Sequence, residues 1–196
     1  GYTELDAARE FLNPSLEQLS SPFEMLNMGA AVERILQAVE KKEKIVVYGD
    51  YDVDGICASV TLYQGLQALD ANVAYYVPDR MEEGYGVNTP ALRTIFDEGA
   101  RLLVTVDCGI SSWQEVAAAK EWGMDVIVTD HHQLPEILPD CIIVNPVLSN
   151  DERDKWRYLC GTGVAFKVVQ GLFARYYEKD GFLDRMRPFL DLAALA

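Results

Sequence analysis

The sequence contains little cysteine, little histidine and little positive charge. Its 196 residues include four cysteines and two histidines, and 17 Lys and Arg stand against 31 Asp and Glu, which gives a net charge of −14. No two cysteines form a C-x-x-C pair, which excludes a zinc knuckle and a dithiol redox motif. We therefore predict four buried thiols, at Cys57, Cys108, Cys141 and Cys160.

Long apolar runs are also absent. No stretch approaches the roughly 18 apolar residues that a membrane-spanning helix needs, and residues 1–10 lack the basic start and apolar core of a signal peptide. Because 49% of the residues are nevertheless apolar, the chain can form a packed core, and a disordered acidic tract is excluded. We predict a globular cytoplasmic protein without a membrane partner.

The acidity restricts the partners of the chain. A surface this negative repels polyphosphate, so a nucleic-acid partner requires a local basic patch, bound metal ions or a further basic domain. Charge alone therefore disfavours DNA binding, and such a function must be supported by specific motifs.

Short apolar runs alternate with longer segments of helical periodicity. Strands are predicted at 45–48, 73–77, 102–106, 126–128 and 141–144. Helices are predicted at 30–40, 56–69, 89–98, 112–122, 164–177 and 182–196. Parallel strands that are covered on both faces show this alternation. The sequence thus predicts an α/β fold, with a doubly wound parallel sheet, helices on both faces and a helical C-terminal part.

Residues 1–43 are predicted to form an N-terminal arm and a helix that pack on this core. Pro14 and Pro22 interrupt the arm, so we expect it to be irregular until the helix begins. The charged segment 149–157 is predicted to be a loop.

Three of the predicted strands end in aspartate and histidine residues, whose side chains can bind metals and transfer protons. The set comprises five aspartates and both histidines of the chain: Asp50, Asp52, Asp54, Asp107, Asp130, His131 and His132. In an open parallel sheet, ligands bind in the crevice beyond the carboxyl ends of the strands. We expect these side chains to meet there.

Clustered carboxylates repel one another unless cations lie between them. Mixed carboxylate and imidazole ligands suit Mn²⁺, with Mg²⁺ as the alternative. We predict two metal ions bridged by Asp107, a centre that hydrolyses bonds at phosphorus. A single Asp at a strand end is more often a helix cap, so the prediction depends on the whole set.

Two other interpretations of the first motif fail. The pattern of acids from Asp50 to Asp54 matches the start of a calcium EF-hand loop, but Thr61 stands where that loop needs Glu and a strand precedes it. A phosphotransferase of the haloacid-dehalogenase type leaves His131 and His132 unused.

Three segments together resemble a known family. The sequences DYDVDG at 50–55, VDCG at 106–109 and DHH at 130–132 resemble motifs one to three of the DHH phosphoesterases. Further segments resemble the bacterial single-stranded-DNA exonucleases of that family and span almost the whole chain: FLNP at 11–14, VPDR at 77–80, GYG at 84–86, VNP at 144–146, GTGVAF at 161–166 and LDLAAL at 190–195. The resemblance implies the fold inferred above and metal-dependent 5′ to 3′ degradation of single-stranded DNA to mononucleotides, in DNA repair and recombination.

The resemblance also implies a ligand set. Asp52, Asp54, Asp107 and His131 match the metal ligands of the family, and Asp50 adjoins them. Many family members have a further His four residues before Asp52. Here that position is Tyr48, and the exonuclease branch implies that Asp50 compensates.

Catalytic roles, and one substrate-binding role, follow from the same resemblance. His131 and His132 are implied to be catalytic, with His132 contacting the scissile phosphate or assisting the leaving group, and Asp130 orienting both histidines. For Arg80, after the second strand, the resemblance favours a contact with phosphate. The residues themselves suggest that Tyr85 stacks on a base and that Gly161 and Gly163, before a helix, direct backbone N–H groups toward a phosphate.

The resemblance finally implies parts that follow residue 196, namely a fourth-motif Asp, a DHHA1 domain and an OB-fold. Residues 44–196 are then a DHH catalytic domain truncated before that Asp, and we expect this piece alone to be weak or inactive. A single-strand-binding protein or a helicase is a further expected partner. Two alternatives stay open: a DHH phosphodiesterase of short oligonucleotides or cyclic dinucleotides, and a non-catalytic replication scaffold, which the retained Asp and His set disfavours.

Overall fold

The core of the molecule is a five-stranded parallel sheet. The computed structural model describes residues 4–149, 156–177 and 181–196. Its strands are β1 (Lys44–Tyr48), β2 (Val73–Tyr76), β3 (Ala100–Val106), β4 (Asp125–Thr129) and β5 (Ile142–Val144). They are ordered β2-β1-β3-β4-β5, and every neighbouring pair is parallel.

Helices cover both faces of the sheet. They are α1 (Leu5–Leu12), α2 (Met28–Glu40), α3 (Val53–Gln67), α4 (Thr89–Asp97), α5 (Trp113–Glu121), α6 (Gly161–Tyr176), α7 (Phe182–Met186) and α8 (Leu190–Leu195). Successive strand residues point to opposite faces, so Ile45 and Val47 of β1 join a core with α2, α3 and α6. Val46 and Tyr48 join a second core with α4 and α5. The predicted doubly wound α/β fold is confirmed.

The order of the strands positions the functional site. The chain leaves β1 through α3 on one face, reaches the edge strand β2, and returns through α4 on the other face to β3. The connections therefore diverge between β1 and β3, and the carboxyl ends of these two strands border a crevice. The segments that follow β1 and β3 carry two of the acidic motifs.

Several element boundaries differ from the predictions. Residues 5–12, predicted to be irregular, form α1. The predicted helix 182–196 is divided into α7, a 3₁₀ segment and α8, because Pro188 cannot continue the hydrogen-bond ladder of α7. Most of the predicted loop 149–157 lies outside the described residues.

The cysteine prediction is half right. All four cysteines are free, and Cys57 and Cys108 are buried. Cys141 and Cys160 are partly exposed, because one precedes the edge strand β5 and the other stands at the N-cap of α6. Within the described part of the chain, no helix is long and apolar enough to cross a bilayer.

Candidate metal centre

Two groups of ligand atoms lie at the carboxyl ends of the strands. Oxygen atoms of Asp50, Asp52 and Asp107 lie within 4.8 Å of one another, and so do ligand atoms of Asp107, His131 and His132. Asp107 belongs to both groups. The strand-end motifs are thus brought together, with Asp107 between the acidic group and the imidazole group.

Asp107 is the least satisfied carboxylate of the site. It follows β3 in the left-handed region with φ of 60°, and it is 2% exposed. Its Oδ1 lies 3.1 Å from Nε2 of His131 but is not aligned for a hydrogen bond, so this buried oxygen has no donor. Burial raises the pKa of the Asp107 carboxyl, and the nearby carboxylate raises the pKa of His131. Among the residues described, the His131 ring is the one group in ion-pair contact with Asp107, and it makes no aligned hydrogen bond to the buried Oδ1.

The close approach of α6 to Asp107 depends on glycine. A Cβ atom added at Gly161 would lie 2.6 Å from Cβ of Asp107 and would also overlap its Oδ1. Only a residue without a side chain lets the first turn of α6 approach the carboxylate this closely.

Asp54 binds the start of the same helix. Its Oδ2 accepts a hydrogen bond from Gly161 N and its Oδ1 one from Thr162 N, both 2.7 Å long. Burial alone would raise the pKa of Asp54, but the bonds from Thr162 and Gly161 outweigh it and lower the pKa. Oδ2 also lies 3.6 Å from Nε2 of His131. Asp54 is therefore an ionised neighbour of the centre, although it belongs to neither three-residue group.

Asp130 orients His132. The buried carboxylate accepts backbone hydrogen bonds from His131 (2.7 Å) and Ile110 (3.0 Å), and its Oδ1 lies 2.7 Å from Nδ1 of the His132 ring. The bond to Asp130 raises the pKa of His132 to about 8. Burial opposes ionisation of Asp130, but the bonds from His132 and Ile110 lower its pKa. The ring of His131 instead faces Asp107 and Asp54, so Asp130 contacts only the backbone of that residue.

Asp50 and Asp52 form the acidic side of the centre. Asp50 is 4% exposed and accepts a hydrogen bond from Tyr51 N, and its burial raises the pKa of the carboxyl. Asp52 is exposed and caps α3 by accepting a bond of 2.9 Å from Gly55 N. This cap begins α3 three residues earlier than the apolar periodicity indicated.

The donor set fits a divalent cation. Carboxylate oxygens and imidazole nitrogens surround Asp107, whose buried oxygen has no hydrogen-bond donor. A cation at this point would supply the missing positive charge and relieve the repulsion among the carboxylates. Tyr48 cannot be a ligand here, since its ring is fully buried against Tyr76 on the α4 side of the sheet.

The predicted substrate residues lie in different settings. The Arg80 guanidinium lies 5.3 Å from the ring centroid of Tyr51, and the exposed Tyr85 meets the His132 ring edge-on at 6.1 Å. The Gly161 N–H is already bonded to Asp54, which corrects its predicted contact with phosphate. For Gly163, in the first turn of α6, a phosphate contact stays a prediction.

A cavity of about 340 Å³ lies beside His132. Tyr85, Ser112 and Glu115 are among its lining residues. His132 lines the cavity as well and thereby connects it with the candidate centre.

Sequence reasoning missed several residues of the site. Thr162 donates to Asp54 through its backbone N–H and its hydroxyl, Ile110 donates to Asp130 through its backbone N–H, and the ring of Tyr51 lies under Arg80. A backbone donor leaves no trace in residue type, so no sequence signal identifies Ile110. Tyr51 is visible in the sequence only as an aromatic residue inside an acidic motif.

Comparisons with known proteins show the family to which the chain belongs. Residues 44–196 match the model of the DHH family, N-terminal domain. The single-stranded-DNA-specific exonuclease RecJ of Bacillus subtilis (strain 168) is 41% identical over 196 residues, which are 100% of this chain and 24% of that protein. The chain thus spans about a quarter of the length of this relative.

Solved structures give the same result. A crystal structure of exonuclease RecJ bound to manganese is 34% identical with a TM-score of 0.79, over 90% of this chain and 43% of that one. RecJ from Thermus thermophilus in complex with Mn²⁺ is 31% identical with a TM-score of 0.76, over 95% of this chain and 25% of that one. The complex of the Thermus thermophilus protein with Mg²⁺ is 28% identical with a TM-score of 0.60, over 95% of this chain and 21% of that one. The chain belongs to the DHH family.

Proposed function

We propose that the intact protein hydrolyses phosphodiester bonds of single-stranded DNA from the 5′ end and releases mononucleotides. The observation that carries the proposal is the buried Oδ1 of Asp107, which has no hydrogen-bond donor and lies 3.1 Å from Nε2 of His131. A structural carboxylate at such a position is normally paired. A carboxylate oxygen without a hydrogen-bond donor, among further carboxylates and imidazoles, suits a metal centre for hydrolysis.

We propose Mn²⁺ as the metal, with Mg²⁺ as the alternative, and two ions. The acidic group around Asp50 and Asp52 would hold one, the group with His131 the other, and Asp107 would contact both. When bound, the metals supply a water of lowered pKa and positive charge against the phosphoryl oxygens. The relatives solved with manganese and magnesium support the choice of metal.

The remaining side chains have roles that follow from their contacts. His132, whose pKa is raised to about 8 by Asp130 in the metal-free chain, can donate a proton toward a phosphate oxygen or the leaving group. Asp54 holds the first turn of α6 against the centre. Arg80 supplies a positive charge, and the exposed face of Tyr85 can stack on a base.

The proposal is tested with the intact protein and a single strand labelled at its 3′ end. Asp107→Asn and His131→Ala should each lower turnover at least about 100-fold, since each removes a group that would hold the metals. Release of mononucleotides in steps from a long strand supports an exonuclease. A preference for two-residue substrates would instead favour the short-oligonucleotide alternative.

Asp140→Asn is a matched control, because that carboxylate is exposed and pairs only with Lys120 among the described residues. Near-normal turnover in the Asp107→Asn variant would refute the proposal. Binding of a single-strand-binding protein or a helicase and a cytoplasmic location stay predictions.

A further inference from the structure

The segment between β2 and α4 brings two substrate-facing groups to the candidate centre. Residues 79–88, here called the 79–88 loop, include Arg80 and Tyr85. The guanidinium of Arg80 lies over the ring of Tyr51, the residue that stands between Asp50 and Asp52 in the sequence. The ring of Tyr85 meets the ring of His132. The loop thus borders both the acidic and the imidazole side of the centre.

One carboxylate within this loop accepts three hydrogen bonds. Oε2 of Glu83 accepts bonds from the Tyr76 hydroxyl (2.6 Å) and from Nδ2 of Asn88 (3.0 Å). Oε1 accepts a bond of 2.9 Å from Asp79 N. Glu83 therefore joins the end of β2, the first residue of the loop and the cap of α4. Its pKa is lowered by the bonds from Tyr76, Asp79 and Asn88, so it is ionised at neutral pH.

A second anchor involves the buried Tyr48. Its hydroxyl donates to the carbonyl of Gly86 at 3.1 Å, and Nδ2 of Asn88 donates to that hydroxyl at 3.3 Å. Gly84 and Gly86 both have positive φ, and a Cβ at either would meet nothing within 4 Å. Packing thus restrains this stretch weakly, and its conformation depends on the hydrogen bonds to Glu83 and Tyr48.

We infer that Glu83 is a positioning residue for the substrate: its carboxylate holds the 79–88 loop where Arg80 and Tyr85 flank the candidate metal centre. The inference rests on the proposed function. None of the three groups bonded to Glu83 is a metal-ligand candidate, so its effect on the reaction passes through the loop. Its loss should weaken binding of the strand and leave the chemical step unchanged.

Glu83→Gln is the decisive variant, because the Gln amide has one acceptor oxygen where the carboxylate has two. In either orientation it loses the bond from Asp79 N or the bonds from Tyr76 and Asn88. Glu82→Gln is the matched control: it removes the same charge from the same loop, and the exposed Glu82 side chain has no partner among the residues described. In the intact protein with Mn²⁺ and a 5′-phosphorylated single strand, Glu83→Gln should raise KM about tenfold, equivalent to ~1.4 kcal/mol. We expect kcat to change less than about twofold, and Glu82→Gln to change neither constant.

Tyr76→Phe provides a second test, since it removes one donor and keeps the ring stacked on Tyr48. Tyr76→Phe should raise KM less than Glu83→Gln, and the double variant should resemble Glu83→Gln alone, because both changes act on one network. Equal KM values for the Glu83→Gln and Glu82→Gln variants would overturn the inference. A fall in kcat with KM unchanged would overturn it as well.

Amide hydrogen exchange separates this inference from the proposed function. Glu83→Gln should speed exchange within residues 79–86 and leave the strands protected, whereas Glu82→Gln should not. If the wild-type protein leaves the strand intact, the proposed function fails, and exchange alone decides whether Glu83 holds the loop. Unchanged exchange in the Glu83→Gln variant would refute that role.

Discussion

Asparagine substitutions at Asp107 and Asp54 should change the stability of the metal-free chain in opposite directions. Asp107 is 2% exposed, its Oδ1 has no hydrogen-bond donor, and its burial raises its pKa despite the nearby His131, so its ionised form costs stability at neutral pH. Asparagine removes the charge and tolerates the left-handed backbone there. Asp107→Asn should therefore stabilise the chain by about 1 kcal/mol, the lower end of the cost of an unsatisfied buried group.

The ionised form of Asp54, in contrast, should stabilise the chain. Its two oxygens accept bonds of 2.7 Å from Gly161 N and Thr162 N, and its pKa is lowered, so its contribution is present at neutral pH and lost as the pH falls through the folded-state pKa. Asparagine keeps one acceptor and turns an N–H₂ group toward the other backbone donor. We expect Asp54→Asn to destabilise the chain by about 1–2 kcal/mol, comparable to loss of a helix cap.

Urea denaturation of the 196-residue chain at pH 7 with a chelator, followed by tryptophan fluorescence, measures both changes. Asp140→Asn is the control and should stay within about 0.5 kcal/mol of wild type, since it affects an exposed ion pair. A destabilised Asp107→Asn variant would show that Asp107 is a satisfied structural carboxylate, and the metal interpretation of its unpaired oxygen would be refuted.

Three further predictions follow from the same contacts. Mn²⁺ at about 100 times its Kd should stabilise the wild-type chain by ~2.7 kcal/mol in thermal denaturation, and an Asp107→Asn variant that gains as much would contradict the ligand role. Gly161→Ala should weaken Mn²⁺ binding at least about 10-fold in calorimetry, because its Cβ overlaps Asp107; Gly29→Ala, whose Cβ meets nothing within 4 Å, should bind normally. The pKa of His132 is raised from 6.5 to about 8 by Asp130, so their pairing should stabilise the metal-free chain below pH 6.5 and be lost as the pH rises through 8. Urea titrations at about pH 6 and pH 9 should show this loss in the wild type and not in His132→Gln; equal pH dependence in both would refute the pairing.

The fold and the location of the centre could be predicted because both depend on local patterns. Alternating apolar runs and helical segments specify the parallel sheet, and a parallel sheet brings the residues after β1, β3 and β4 to one edge. Asp50, Asp107 and His131 therefore converge as expected. The topology itself requires this convergence.

Features that depend on distant partners could not be predicted. The α6 helix begins at Gly161, three residues before its apolar pattern, because Asp54, 107 positions away in the chain, binds its first amides. The same contact occupies the N–H that the sequence assigned to phosphate. The connections of Glu83 to Tyr76 and Asn88 arise likewise from the way the 79–88 loop folds back on the sheet.

The most direct test of the central claim is anomalous scattering at the manganese edge, from a crystal of the intact protein soaked with Mn²⁺ and a short 5′-phosphorylated strand. The account predicts two anomalous peaks that share Asp107, one beside Asp50 and Asp52 and one beside His131. Peaks only elsewhere on the molecule, or density at this site without a metal signal, would contradict it.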